Sequence, residues 1–240
     1  SMGGSTIFLD EGEQLSVRDI LKGIAVSSGN DAAVAMAEHI GGSCENFVSM
    51  MNERAAQLGM ADTHFVNCNG LPDEGHYSTA YDIALMSREL MRHDGIFEFT
   101  TIWMDSLRGG AFTLSNTNKL IRFYDGATGL KTGSTDQAKF CISATAKRDN
   151  MHLIAVVMAA PTSKQRSADA SKLLNYGFAN YAVIPLAIKG EEAARLHIEK
   201  GKDGETPLAC AENLDYLCKK GEQPEIERTP IFEENLCAPC

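Results

Sequence analysis

The sequence predicts an α+β fold, and three observations carry that expectation. Apolar residues recur at helical spacing, behind recognisable caps, through roughly the first 95 of 240 residues. Two β-rich runs, Lys139–Lys147 and Met151–Ala159, then flank the turn Arg148-Asp149-Asn150 and read as a hairpin. A further amphipathic stretch, Ser167–Tyr181 with Ala170, Leu173, Leu174 and Phe178 on one face, is expected to pack on that sheet.

Taken in order, the chain opens with a short extended run, Thr6-Ile7-Phe8-Leu9. Ser16 then caps a helix through Val17, Ile20, Leu21 and Ile24 that stops near Ser27-Ser28-Gly29-Asn30. A second, Ala-rich helix covers about Asp31–Ile40 and is closed by Gly41-Gly42. Ser43 caps a third, whose Phe47, Met50, Met51 and Leu58 read as core by periodicity. Asn67-Cys68-Asn69-Gly70 is turn chemistry. Ser78 or Thr79 starts a fourth helix through Ile83, Met86, Leu90 and Met91. Beyond Pro185 the composition changes: residues 190–240 carry 12 acidic against six basic side chains and only Tyr216 and Phe232 as aromatics. The expected organisation is therefore a main domain over residues 1–186 and a small, short-stranded β-rich domain over 187–240, near the size at which a core alone is marginal.

Composition narrows the function. A chain that is 44% hydrophobic can build a core, and its net charge of −10 has the wrong sign for neutralising nucleic-acid phosphates. The longest apolar runs, such as Leu153–Ala160, fall well short of the roughly 20 residues that a membrane helix needs. Seven cysteines make an odd number and no obvious disulfide framework. A zinc site would need Cys210 and Cys218 to fold back onto Cys237 and Cys240, and none of the six histidines is spaced as H-x-x-H or H-E-x-x-H.

Two motifs carry chemistry: Ser28-Gly29-Asn30 at a helix-to-helix corner and Lys131-Thr132-Gly133 just before the hairpin. Alone, each is common. In this order they match the Ser-x-Asn and Lys-Thr-Gly motifs of penicillin-recognising serine acyl-transfer enzymes. The Ser28 hydroxyl and the Lys131 amine suit proton transfer toward a leaving amine, with Asn30 orienting a substrate amide or a catalytic lysine. Thr132 offers a hydroxyl to a carboxylate, and Gly133 lets a substrate backbone lie along the strand.

With these motifs in place the chain resembles the D-alanyl-D-alanine carboxypeptidases of the low-molecular-mass penicillin-binding protein family. The likeness runs through Ser28–Glu38, Asn69-Gly70-Leu71, Tyr77–Ala80, Asn118-Lys119-Leu120, Gly129–Gly133 and Lys172-Leu173-Leu174 with Gly177-Phe178. It implies a β-lactamase/transpeptidase-like domain, a helical cluster packed on an antiparallel sheet. It assigns Ser28, Asn30 and Lys131 to catalysis, and Thr132, Gly133, Ser134 and Arg166 to substrate binding, Arg166 holding the terminal carboxylate. It further implies peptidoglycan stem peptides ending in D-Ala-D-Ala as substrate, β-lactam antibiotics as inhibitors, and no metal or organic cofactor. The setting it implies is extracytoplasmic, at the outer face of a bacterial cytoplasmic membrane, with any anchor in a C-terminal segment beyond Cys240.

Three features depart from the family pattern. Ser134 and Lys139 stand where larger residues and glycine are usual, which bears on substrate preference. More consequentially, no serine here is followed three residues later by lysine, so the Ser-x-x-Lys nucleophile motif is absent. The tetrad is expected upstream of residue 1, and the 240 residues alone are expected to be inactive. Two other readings stay open: a non-catalytic peptidoglycan-peptide binder, and a class A β-lactamase-like hydrolase. The latter would need a Glu-x-x-Leu-Asn loop, which Glu212-Asn213-Leu214-Asp215 does not supply.

Overall fold

A computed structural model describes residues 3–199, 205–222, 225–227, 229, 231 and 236–237. Four helices come first: α1 (Val17–Ala25), α2 (Asn30–Gly41), α3 (Cys44–Gln57) and α4 (Ala80–Leu90). Three of them start as the sequence predicts, because the Ser16, Ser43 and Thr79 side chains accept the N–H of Asp19, Asn46 and Asp82. Gly42, at φ 76°, closes α2 in the left-handed conformation that glycine adopts without steric cost. A short helix α5 (Phe97–Thr100), the hairpin β1 (Met104–Leu107) and β2 (Phe112–Ser115), and one turn α6 (Leu120–Phe123) lead into the main sheet.

That sheet has three antiparallel strands in the order β3 (Ala127–Thr135), β4 (Lys139–Arg148), β5 (Met151–Ala160). The predicted hairpin is β4–β5, and the Lys-Thr-Gly motif lies on its neighbour β3, with Lys131 opposite Ser143 and Gly133 opposite Cys141. Ile142, Ala144 and Ala146 of β4 are buried. Helix α4 lies against β4 and β5, where the Ser87 and Ser143 hydroxyls share a buried 2.6 Å hydrogen bond.

Helix α7 (Ser163–Asn180) follows, with Ala170 and Leu174 buried. It begins four residues earlier than Ser167, because Thr162 caps it through Oγ1 to the Gln165 N–H. Arg166 therefore sits in its first turn.

The chain divides into two compact units, Ser1–Tyr176 and Gly177–Cys240. The second holds two small sheets, β6 (Tyr181–Ala187) with β9 (Leu214–Lys219), and β7 (Glu192–Glu199) between β8 (Glu205–Ala209) and β10 (Leu236–Cys237). Among the described residues no helix is long and apolar enough to cross a membrane, and no three His, Cys, Asp or Glu side chains cluster as metal ligands. The Cys237 and Cys240 thiols lie outside the described residues.

One small core positions the site. Ile7, Val26, Ala32, Leu107 and Leu114 are buried together, with Ile20, Ile24 and Phe112 packed around them. Ile7 enters the corner between α1 and α2 because Gly23 and Gly29 leave it room; a Cβ at these positions would come within 2.9 and 3.1 Å of its side chain. The extended opening expected at Thr6–Leu9 is not part of a sheet, and Phe8 takes φ 56°. Long-range bonds hold it instead. The Asp31 carboxylate accepts the N–H groups of Ile7 and Leu9, and Arg108 donates to the carbonyls of Ile7 and Phe8 and to the Glu13 carboxylate.

Candidate active site

The corner that receives Ile7 also presents Ser28. Residues 26–29 must turn the chain from α1 into α2 within a few residues, and Ser28 does so at φ 60°, a conformation that costs a non-glycine residue energy. The turn points its hydroxyl at β3, where Lys131 Nζ donates to Ser28 Oγ at 2.6 Å and to the Thr132 carbonyl at 2.7 Å. Burial of the amine, and secondarily the nearby positive charge of Arg166, bring Lys131 down to a pKa of about 8. At neutral pH this ammonium is within reach of giving up its proton.

Asn30, the first residue of α2, donates from Nδ2 to the Gly3 carbonyl at 2.7 Å. On β3, Thr132 Oγ1 shares a 2.7 Å hydrogen bond with Thr117 Oγ1, and the Thr117 N–H is anchored on the Val26 carbonyl. Ser134 is exposed next along the strand. Arg166 is 5% exposed, and its buried Nε–H has no hydrogen-bond partner among the described residues. Burial also lowers the pKa of this guanidinium. A buried donor left unpaired is costly, so two cations on one cavity, one with a free donor, form a receptor for an anion.

The cavity encloses about 1050 Å³ and brings all seven predicted residues, Ser28, Asn30, Lys131, Thr132, Gly133, Ser134 and Arg166, onto its walls. The opposite wall is apolar, built by Phe47, Met50, Met51, Phe65 and Met86. Helical periodicity marks Met50, Met51 and Met86 as core; the structure instead gives them to this wall, with Met50 42% exposed.

Gly133 shows what its position is for. It does not need a positive φ, and a Cβ there would meet nothing within 4 Å, so neither backbone nor packing within the chain demands glycine. Among the described residues β3 is an edge of its sheet, bonded only to β4. A free edge beside an open glycine can accept an extended peptide as an added strand.

Sequence reasoning missed three supports. Asp31 pins segment 7–9 beneath Ser28, and Thr117 holds the Thr132 hydroxyl. Asn118, almost wholly buried, donates to the Gly129 carbonyl at 2.9 Å and so fixes the start of β3. The signal in the sequence was Asn116-Thr117-Asn118, a pair of overlapping side-chain turns in which each Asn oxygen accepts the N–H two residues on.

A hydroxyl–amine pair, a buried guanidinium with an unpaired donor and an open strand edge thus meet around one cavity, which has the groups for proton transfer beside an anion. The chain belongs to the S11 peptidase family, the D-alanyl-D-alanine carboxypeptidases, whose sequence profile matches residues 1–162. It is 46% identical to the D-alanyl-D-alanine carboxypeptidase DacF of Bacillus subtilis over 100% of its own length and 62% of that protein. To DacD of Escherichia coli it is 37% identical, over 99% of this chain and 62% of the relative. Among solved structures, penicillin-binding protein 5 from Haemophilus influenzae superposes with a TM-score of 0.79 at 34% identity, covering 98% of this chain and 69% of that one. Penicillin-binding protein 6B from Escherichia coli gives 0.77 at 34% identity, over 95% of this chain and 65% of that one. The chain thus spans about 62% of the length of these curated relatives.

Proposed function

We propose that this chain contributes the substrate-binding and proton-transfer walls of a serine-type D-Ala-D-Ala carboxypeptidase, which removes the terminal D-alanine from peptidoglycan stem peptides through an acyl-enzyme. The observation that carries the reading is the buried Arg166 with its unpaired Nε–H, on the cavity where Lys131 meets Ser28 at 2.6 Å. The stem peptide pairs with the edge of β3 across Gly133, and its terminal carboxylate is held by Thr132, Ser134 and Arg166. Lys131 and Ser28 relay a proton to the departing D-alanine amine, and Asn30 orients the substrate or the catalytic lysine. Penicillins, which present a carboxylate beside a strained amide, are trapped in the same place.

The serine that is acylated belongs, in this proposal, to a Ser-x-x-Lys segment that the 240 residues do not contain. The enzyme acts in the cell envelope, outside the cytoplasmic membrane, in peptidoglycan maturation and cell shape. The test is labelling with a fluorescent penicillin, read by intact mass, on this chain and on a chain extended upstream in the native reading frame, with D-alanine release measured in parallel. The adduct and turnover are expected on the extended chain alone. Labelling of the 240-residue chain would make a serine within it, first of all Ser28, the nucleophile. Labelling of neither would leave a non-catalytic peptide binder.

A further inference from the structure

Among the described residues no Asp or Glu lines the cavity, although Arg54, Lys131 and Arg166 do. Arg54 is paired with Glu89 at 2.6 Å. Lys131 and Arg166 have no carboxylate within 4.0 Å among the described residues. A buried ammonium without a counter-ion is poised to become an amine. Lys131 Nζ directs one N–H to Ser28 Oγ at 2.6 Å and another to the Thr132 carbonyl at 2.7 Å, and among the described residues the third meets no acceptor. That unheld proton is the one that leaves. The amine then keeps both hydrogen bonds and carries its lone pair at the free tetrahedral position. Burial and the nearby Arg166 charge put this loss at a pKa of about 8. Lys131 is only half-buried and lies on a cavity of about 1050 Å³, so a small solute can reach it. A desolvated lysine amine beside a second cation is the kind that condenses with carbonyl compounds.

We propose that Lys131 is a covalent capture site for small α-oxo acids, its Nζ forming a reversible imine with their carbonyl carbon while their carboxylate lies against Arg166. The amine lone pair attacks the carbonyl carbon, the C=O π pair moves onto oxygen, and a proton passes from nitrogen to that oxygen to give a carbinolamine. The carbinolamine hydroxyl then departs with the remaining N–H proton as water, and the C=N bond forms. In sum, one amine and one carbonyl give one imine and one water, with no oxidant or reductant. Ser28 Oγ, at 2.6 Å from Nζ, is placed to pass the proton from nitrogen to oxygen. The carboxylate of an α-oxo acid is one bond from the reacting carbon, so its partner must share the cavity with Nζ. Arg166 does, with an Nε–H that no group among the described residues takes up. This capture needs neither an acyl-enzyme nor a Ser-x-x-Lys segment, so it stands or falls separately from penicillin labelling.

The test is reductive trapping on the 240-residue chain near neutral pH, with glyoxylate in one series and the neutral acetaldehyde in another, each with cyanoborohydride. Hydride delivered to the imine carbon leaves a carboxymethyl or an ethyl group on the lysine that reacted, and peptide mapping by mass locates it. Lys131 is expected to react with glyoxylate at least about tenfold faster than the exposed Lys119 and Lys147, because a far larger fraction of its amine is neutral. Its preference for glyoxylate over acetaldehyde should exceed theirs by about tenfold or more, and Arg166→Gln should remove that preference while changing acetaldehyde capture by less than about threefold. Carboxymethylation of the exposed lysines with Lys131 unmodified would overturn the proposal. So would capture at Lys131 that does not favour glyoxylate, or a preference that survives Arg166→Gln. The two aldehydes compared on the unmutated chain decide the matter even if the variant folds poorly.

Discussion

Lys131 is held in the folded chain against its own preference. Its pKa stands at about 8 where 10.5 is ordinary, so the unfolded chain holds the proton more tightly than the folded one. The penalty is present in full below pH 8 and vanishes as pH rises past 10.5. By the linkage constant it amounts to about 3 kcal/mol at most. Lys131→Met gives up the bonds to Ser28 and the Thr132 carbonyl but removes this penalty, so the variant should melt a few degrees higher at pH 7. The gain should shrink as pH goes from 8 toward 10.5, which scanning calorimetry across that range would show. A lower melting temperature at pH 7 would mean that the hydrogen bonds outweigh the burial of charge. For a chain that carries the Ser-x-x-Lys segment, acylation by penicillin should lose rate on an alkaline limb near pH 8, as the Lys131 ammonium that supplies the relayed proton in the proposed function is discharged.

At the scale of elements, helices whose first turn is closed by a local hydroxyl were legible, and elements held from far away were not. Ser16, Ser43 and Thr79 cap α1, α3 and α4 within three residues, so sequence alone shows where these helices begin. The β1–β2 hairpin has strands of only four residues, and its turn residue Arg108, at φ 53°, is fixed by Glu13 and the carbonyls of residues 7 and 8, about a hundred positions away. No local pattern announces that. Segment 6–9 reads only as an extended run for the same reason: its fold depends on Asp31, which accepts the N–H groups of Ile7 and Leu9 from more than twenty positions away. Removing that carboxylate with Asp31→Ala leaves partly buried donors at Ile7 and Leu9 unpaired. It should cost about 2–3 kcal/mol, seen as a lower urea midpoint at unchanged m-value. Gly133→Ala makes the opposite case. The added methyl meets open space, so the melting temperature should stay within about 1 °C. Peptide binding should weaken at least tenfold if the substrate backbone lies there. Loss of stability in Gly133→Ala would make the glycine a structural residue and remove the strand-addition argument.

For the whole molecule, residues named from motifs far apart in the sequence come to one cavity, while the overall charge balance differs in sign from the cations on that cavity. All seven residues named from Ser-Gly-Asn, Lys-Thr-Gly and the family arginine line one cavity, because a corner between helices, an edge strand and the first turn of a later helix meet there. The overall charge of −10 gives no hint that this cavity holds two uncompensated cations. The two scales oppose each other. In the proposed function, an anionic stem peptide would approach against the summed negative field of the protein and be captured by the buried cation Arg166 only at close range. Salt screens the far field over a Debye length of about 8 Å at physiological ionic strength but reaches a buried guanidinium poorly. Raising salt from about 20 to 200 mM should therefore leave the affinity for a D-Ala-D-Ala peptide unchanged or strengthen it up to about threefold. A site that steered its ligand with exposed cations would lose affinity over the same range. Calorimetric titration at the two salt concentrations, with Arg166→Gln as the control that loses binding at both, separates the cases. A steep loss of affinity with salt would mean that capture depends on exposed charge instead of the buried Arg166.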